Sequence, residues 1–175
     1  SAVYAGEARD TPVSARVIDY APERCLERDV SAVSELEGYR GAGTVSWINL
    51  DGIHEAEQVQ AVCRAFGVHP LWLEDILTPT GRAKVEVMDD KLLAIVKMAR
   101  PSDAGPVLTE QVSIVLGPGW VLTFQERPGD VWHGLRQRIR AGGGRVRRLE
   151  ADYLLHALLD AIVDHYFVAL EALEI

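Results

Sequence analysis

Apolar and polar positions follow two different rhythms along this chain. Residues 15–20 (Ala-Arg-Val-Ile-Asp-Tyr) and 44–50 (Thr-Val-Ser-Trp-Ile-Asn-Leu) are rich in β-branched and aromatic side chains and read as strands. Pro22 ends the first, and Asp51-Gly52 turns the chain after the second. Residues 26–36 fit neither rhythm, and residues 38–43 form a glycine-rich loop. From Glu55 to Phe66 the spacing becomes helical, with Val59, Val62 and Phe66 on one face. Gly67 stands where a helix-terminating glycine belongs, and Pro70 can open a second short helix over 70–77 as its first residue.

Four strand-like runs follow, at 83–88, 92–98, 111–116 and 120–125. Asp89-Asp90 joins the first pair, and Gly117-Pro118-Gly119 joins the last as a tight hairpin. Asp130 is placed to cap a helix carrying Val131, Leu135 and Ile139, which Gly142-Gly143-Gly144 breaks. A long helix then starts near Glu150, and its apolar period, from Leu154 and Leu158 through Ile162 to Leu170 and Leu173, runs on to the last residues. No glycine or asparagine stop precedes Ile175, so the expectation is a chain cut inside a helix, a piece of something longer. The order predicts an α/β fold, a mixed β-sheet sandwiched between helices (α/β/α) and ending in a truncated long helix. The expected organisation is a flexible N-terminus over 1–12, an α/β domain over 13–149 and the start of a long helical region over 150–175.

Composition narrows the picture little. A chain of 175 residues, 48% hydrophobic and 25% charged, is the size and make-up of one soluble domain with its own core. The formal net charge of −8, from 26 acidic and 18 basic residues, argues against a nucleic-acid binder and permits cation binding. Cys25 and Cys63 are far apart and form no metal-ligand spacing, so both are expected to be buried small hydrophobes in a reducing compartment. No apolar run reaches the roughly 18–20 residues of a membrane span. The best candidate, residues 154–173, carries His156, Asp160, Asp164 and Glu171, which are costly in an isolated span.

The chemistry-bearing residues are acidic. Glu74 and Asp75 stand side by side in the short helix, where neighbouring side chains point about 100° apart. They are a poor chelate for one ion; they suit two separate ions, two partner surfaces, or a merely solvated acidic face. His69 is expected to open or pack the helix rather than to bind metal. His156, Asp160 and Asp164 recur every four residues and form a polar stripe on the long helix. Carboxylates of this kind suit Mg²⁺, Ca²⁺ or Mn²⁺ better than soft metals, and Mg²⁺ needs only one or two because it keeps several waters. A hydrated helix face is the plain alternative. No nucleophile motif, zinc-protease motif or phosphate loop is present, so no enzyme activity is expected. The basic run Arg136, Arg138, Arg140, Arg145, Arg147 and Arg148 lacks interleaved aromatics on which bases would stack. It reads as a solvated helix face or as partners for the acidic surface, with phosphate or anionic lipid as the remaining option.

Several segments together resemble one family. They are Trp47-Ile-Asn-Leu-Asp-Gly-Ile-His54, Phe66-Gly-Val-His-Pro-Leu-Trp-Leu-Glu-Asp-Ile-Leu77, Lys84-Val-Glu86, Glu110-Gln-Val-Ser-Ile114, Thr123-Phe-Gln-Glu-Arg-Pro-Gly-Asp130, Arg136-Gln-Arg-Ile139, Ala151-Asp-Tyr-Leu-Leu155 and Leu159-Asp-Ala-Ile-Val-Asp-His-Tyr-Phe167. In this order, from about residue 44 onward, they are similar to the CorA magnesium and cobalt transporters. The resemblance implies a homopentameric, channel-like transporter. Each subunit would have an α/β/α domain on the cytoplasmic side of the inner (plasma) membrane, a long stalk helix, two membrane helices and a Gly-Met-Asn selectivity signature. Only the first part is in this chain, expected to be soluble and to regulate rather than to conduct. The resemblance further implies weak regulatory Mg²⁺, with Co²⁺ also compatible, bound between neighbouring domains. Asp75 would serve one site, with its partner acid in an adjacent subunit's stalk, and Glu74 with Asp160 would serve a second. His156 and Asp164 match no ligand of the family. A related zinc transporter shares the architecture, and a free-standing soluble metal-binding domain is the more distant alternative.

Overall fold

A mixed sheet forms the middle layer of the computed structural model, which describes residues 3–6, 14–79, 81–102 and 105–173. Along the chain come β1 (Ser14–Ala21), β2 (Arg24–Val30), β3 (Val45–Asp51), α1 (Ala56–Ala65), α2 (Pro70–Ile76), β4 (Lys84–Met88), β5 (Lys91–Ser102), β6 (Gly105–Gly117), β7 (Trp120–Gln125), α3 (His133–Ala141) and α4 (Ala151–Leu173). Among the described residues the sheet has seven strands in the order β2-β1-β3-β7-β6-β5-β4. Neighbours are antiparallel except β3 and β7, which run parallel from Ser46↔Trp120 to Asp51↔Gln125. The expected α/β/α sandwich is therefore the observed fold. Of the expected flexible N-terminus, residues 1–2 and 7–12 lie outside the described residues.

Side chains alternate across a strand, so the sheet feeds two cores. On one face, Ile48, Leu50, Leu122 and Phe124 pack against Val59, Val62 and Phe66 and, from α2, Trp72 and Ile76. Phe66 meets Trp120 edge-on at 4.9 Å between ring centroids. On the other face, Trp47, Val112, Ile114 and Val121 pack against Leu135 and Ile139 of α3 and Leu154, Leu158 and Ile162 of α4. Each such side chain contributes about 1.5–3 kcal/mol by leaving water. Between the central strands a buried polar chain stays satisfied. Trp47 Nε1 donates to Thr123 Oγ1 at 2.9 Å, which donates to Asn49 Oδ1 at 2.6 Å, and Asn49 Nδ2 donates to Asp51 Oδ1 at 2.8 Å. Burial pushes the Asp51 carboxyl above its usual range despite that last bond.

Several expectations need correction. The ambiguous residues 26–36 are the rest of β2 and a 3-10 turn over Val33–Glu35. Most β2 side chains are exposed because the strand is a sheet edge, which is why it carried no apolar signal. β5 and β6 extend well beyond the runs read from sequence, to 12 and 13 residues, because they pair with each other along their length. Asp130 is not the cap residue of α3; that position is Trp132, whose N–H donates to Asp130 Oδ1 at 2.8 Å. Cys63 is buried, but Cys25, on the edge strand, is only half-buried.

Part of the basic run is structural: Arg138, Arg140, Arg145 and Arg148 are exposed as expected, but Arg136 and Arg147 are not. Arg136 is buried, grips Asp130 with two hydrogen bonds of 2.9 and 2.7 Å, and lies 4.9 Å from the Trp47 ring centroid. Arg147 is also buried and donates to the carbonyls of Ala21, Ile139 and Pro22. Arg140 makes two bonds to Glu27, at 2.7 and 2.8 Å. Periodicity could not foresee this: Arg140 and Arg147 find acceptors more than a hundred residues away, and Arg136 finds Asp130 through the turn that precedes α3.

α4 is, among the described residues, long and apolar enough to cross a membrane by length and composition, with a mean hydropathy of 1.3 in its most apolar window. The charges were thus less decisive than the sequence reading held. In this fold, however, Ala151, Leu154, Ala157, Leu158 and Ile162 are buried against the sheet and α3. Toward its end the helix turns apolar side chains outward, with Phe167 63% and Leu170 56% exposed.

The buried Asp130–Arg136 pair and the more exposed Glu27–Arg140 pair should separate in a urea titration. Asp130→Ala leaves a buried guanidinium unpaired and is expected to lower the unfolding free energy by about 3 kcal/mol. Glu27→Ala should lose less than about 1 kcal/mol.

Candidate metal site

The short helix α2 is set by its first two residues. His69 has an extended backbone (φ −62°, ψ 140°) and caps the helix, its Nδ1 accepting the Leu71 N–H at 3.1 Å. Pro70 follows at the first turn, where its missing N–H costs nothing. His69 is thus a capping residue, as its position before Pro70 indicated. Trp72, Leu73 and Ile76 are buried against the sheet, which leaves Glu74 exposed and Asp75 half-buried. Glu74 borders an open cleft of about 530 Å³ that also touches Gln60, Leu77 and Thr78.

Asp75 does not stand alone. Its Oδ2 accepts a hydrogen bond from Lys84 Nζ at 2.8 Å, and the same ammonium lies 3.0 Å from Glu86 Oε1. Glu86 Oε2 in turn accepts the indole N–H of buried Trp72 at 3.0 Å. Lys84 and Glu86 are two apart on β4, so both side chains face α2. The bonds to Asp75 and then to Glu86 raise the Lys84 ammonium above its usual range. The Lys84 bond, then the Trp72 bond, hold the Glu86 carboxyl below its own. From β6, Gln111 Nε2 donates to the Asp75 carbonyl at 3.4 Å. Lys84 and Glu86 were not singled out as functional from sequence. The available signal was their alternate spacing on a strand, but not the strand's position beside α2.

Asp160 lies on α4, on the opposite face of the sheet from α2. It is exposed, as are His156 and Asp164 one turn to either side. Within one chain the sheet stands between Glu74 and Asp160, and the structure does not bring them together. Among the described residues no group of three or more His, Cys, Asp or Glu side chains converges as a metal cage. The donors present are oxygen donors of the class Mg²⁺ takes.

The family model described as CorA-like Mg²⁺ transporter protein matches residues 42–175. The chain belongs to this CorA family. A curated relative, the cobalt/magnesium transport protein CorA of Thermotoga maritima, is 40% identical over 98% of the chain and 49% of its own length. The chain thus spans about half the length of that relative. Among solved structures, the soluble domain of CorA from Methanocaldococcus jannaschii superposes with a TM-score of 0.65 at 17% identity, covering 96% of this chain and 62% of that one. The cytoplasmic domain of ZntB from Vibrio parahaemolyticus gives 0.62 at 11% identity, covering 91% and 62%. At such identities these two establish a shared fold.

One buried acid in this CorA-family chain has no local pattern that marks it for chemistry. Glu110 of β6 is 4% exposed; its Oε2 accepts the N–H groups of Glu126 and Arg127, both at 3.0 Å. Arg100 Nη2 is 3.8 Å from Oε1. Burial outweighs these contacts and pushes the carboxyl up to about 7. The unfolded chain ionises this group near 4.3, so the folded state binds the proton more tightly. Its contribution is full below the unfolded value and is lost as pH rises to about 7. Glu110→Gln, which can still accept both N–H bonds, is expected to flatten the fall in urea-unfolding free energy between about pH 4.5 and 7.

Proposed function

We propose that this chain is the cytosolic, Mg²⁺-sensing regulatory domain of a divalent-cation (Mg²⁺/Co²⁺) transporter. Residues 13–149 form the regulatory domain, and from residue 150 a helical region leads toward the stalk and membrane part. The full-length protein assembles as a homopentamer in the inner membrane, with this domain on the cytoplasmic side. Asp75 contributes to one intersubunit site, and Glu74 of one subunit shares a second with Asp160 of the next. Family membership supports the transporter reading, and the length of the Thermotoga maritima relative supports a missing pore-forming half. The observation that carries the sensing reading is geometric. Glu74 and Asp160 are exposed carboxylates on opposite faces of one sheet, an arrangement that serves an ion only when two subunits meet.

Mg²⁺ held there would bridge carboxylates of neighbouring subunits and offset their repulsion. The residues do the rest by position. α2 holds Glu74 and Asp75 on a rigid turn capped by His69, and they point in different directions, toward separate sites. A net charge of −8 per chain makes a close ring of such domains self-repelling when the carboxylates are bare. The closed ring is favoured only to the extent that it binds the ion better than the loosened one. With few carboxylates and retained water the sites are weak. The fold likeness to ZntB does not favour zinc, because that fold is common to both.

In the full-length protein, Asp75→Ala is expected to raise the Mg²⁺ concentration for half-maximal protease protection about tenfold, equivalent to about 1.4 kcal/mol. An unchanged midpoint would remove Asp75 from the sensing role. Glu74→Ala and Asp160→Ala should each raise the midpoint, and the double variant little further, since both groups serve one ion. Uptake of Mg²⁺, Co²⁺ and Zn²⁺ by the full-length protein tests the cargo separately.

A further inference from the structure

We propose that Lys84 is a tethered competitor for the Asp75 carboxylate, a built-in cation that Mg²⁺ must displace and that sets the concentration at which this site fills. The inference rests on the reading of Asp75 as a Mg²⁺ ligand and adds how that site is regulated.

The Lys84 ammonium donates to Asp75 Oδ2 at 2.8 Å, occupying one of the two oxygens open to a metal. A divalent ion and an ammonium on one carboxylate repel each other, so occupancy is exclusive. The second contact makes the exchange cheap. Glu86 Oε1 is 3.0 Å from the same nitrogen, and Glu86 is itself fixed by the Trp72 indole N–H at 3.0 Å, with Trp72 only 1% exposed. Lys84 therefore has two berths on one rigid surface. When Asp75 is taken by a metal, the ammonium retreats to Glu86 and stays paired, with no charge left bare. β4 is an edge strand, joined to the sheet only through β5, and its Lys84 and Glu86 bond across to α2, which the buried Trp72, Leu73 and Ile76 anchor. The exchange thus takes place where the fold is least encased, and it needs no rearrangement of either core.

Exclusive occupancy multiplies the apparent dissociation constant of the site by the reciprocal of the fraction in which Asp75 is free. A half-exposed ion pair of this kind corresponds to a factor of about two to five. In the full-length protein, Lys84→Met is expected to lower the Mg²⁺ midpoint for protease protection by about that factor, and Lys84→Gln to do the same with a polar side chain. Lys84→Arg, which keeps the charge, should stay within a factor of about two of the unmodified protein. Combined with Asp75→Ala, Lys84→Met should have no effect on the midpoint, because the contested carboxylate is gone. Metal-free thermal unfolding of both neutral variants is followed in parallel, and a shift in midpoint with an unchanged transition separates competition from packing. If Asp75→Ala raises the midpoint but neither neutral variant lowers it, the competitor role is wrong while the sensing site stands. A shift in midpoint from Lys84→Met that persists in the Asp75→Ala background also overturns it. If Asp75→Ala has no effect at all, the sensing reading falls and takes this inference with it.

Discussion

Strands β3 and β7 lie parallel in the middle of the sheet, and nearly every side chain on them is buried. Neither face of this pair can be left to water. Ile48, Leu50, Leu122 and Phe124 need cover on one side, Trp47 and Val121 on the other, so the chain must place helices on both. That requirement sends α1 and α2 to one face and α3 and α4 to the other. It also decides where the acids go. Glu74 and Asp75 ride on α2, Asp160 rides on α4, and a solid sheet separates them. A shared ion between these surfaces is then a matter of assembly and not of the single fold.

Polar groups inside this sandwich serve order more than chemistry. The Trp47–Thr123–Asn49–Asp51 chain ties the two parallel strands together at a point where an unmade hydrogen bond would be costly. Arg136 and Arg147 close the gaps between α3, the end of β1 and the loop before α3. Two arginines of a run that looks like a solvated face in one dimension are spent inside the protein in three. The sheet edge differs. On β4 the side chains facing away from α2, Val85 and Val87, are 65% and 71% exposed, while Lys84 meets Asp75 of α2 through charge and Glu86 accepts the Trp72 indole N–H. Rigid middle and adjustable edge coexist because burial falls off across the strands.

Much of the fold was legible because it is written locally. Alternation marked the strands, Gly67 ended α1, Pro70 opened α2, and Gly142 ended α3 with a backbone φ of +76° that favours glycine. β2 escaped because an exposed edge strand has no apolar face to betray it. The full lengths of β5 and β6 escaped because polar residues such as Thr109 and Glu110 extend a strand only when a partner strand lies alongside.

By itself, the order of residues determined the α/β/α class, the family, and which acids could hold a hard cation. These follow from periodicity, turn residues and motifs, which act over a few positions. The tertiary structure alone decided that Asp75 is engaged by Lys84, that Glu74 and Asp160 lie on opposite sides of the sheet, and that two of the six arginines in the basic run, Arg136 and Arg147, are internal. Each of those depends on which elements pack side by side and which lie across the sheet, and no local pattern records which segments will be neighbours.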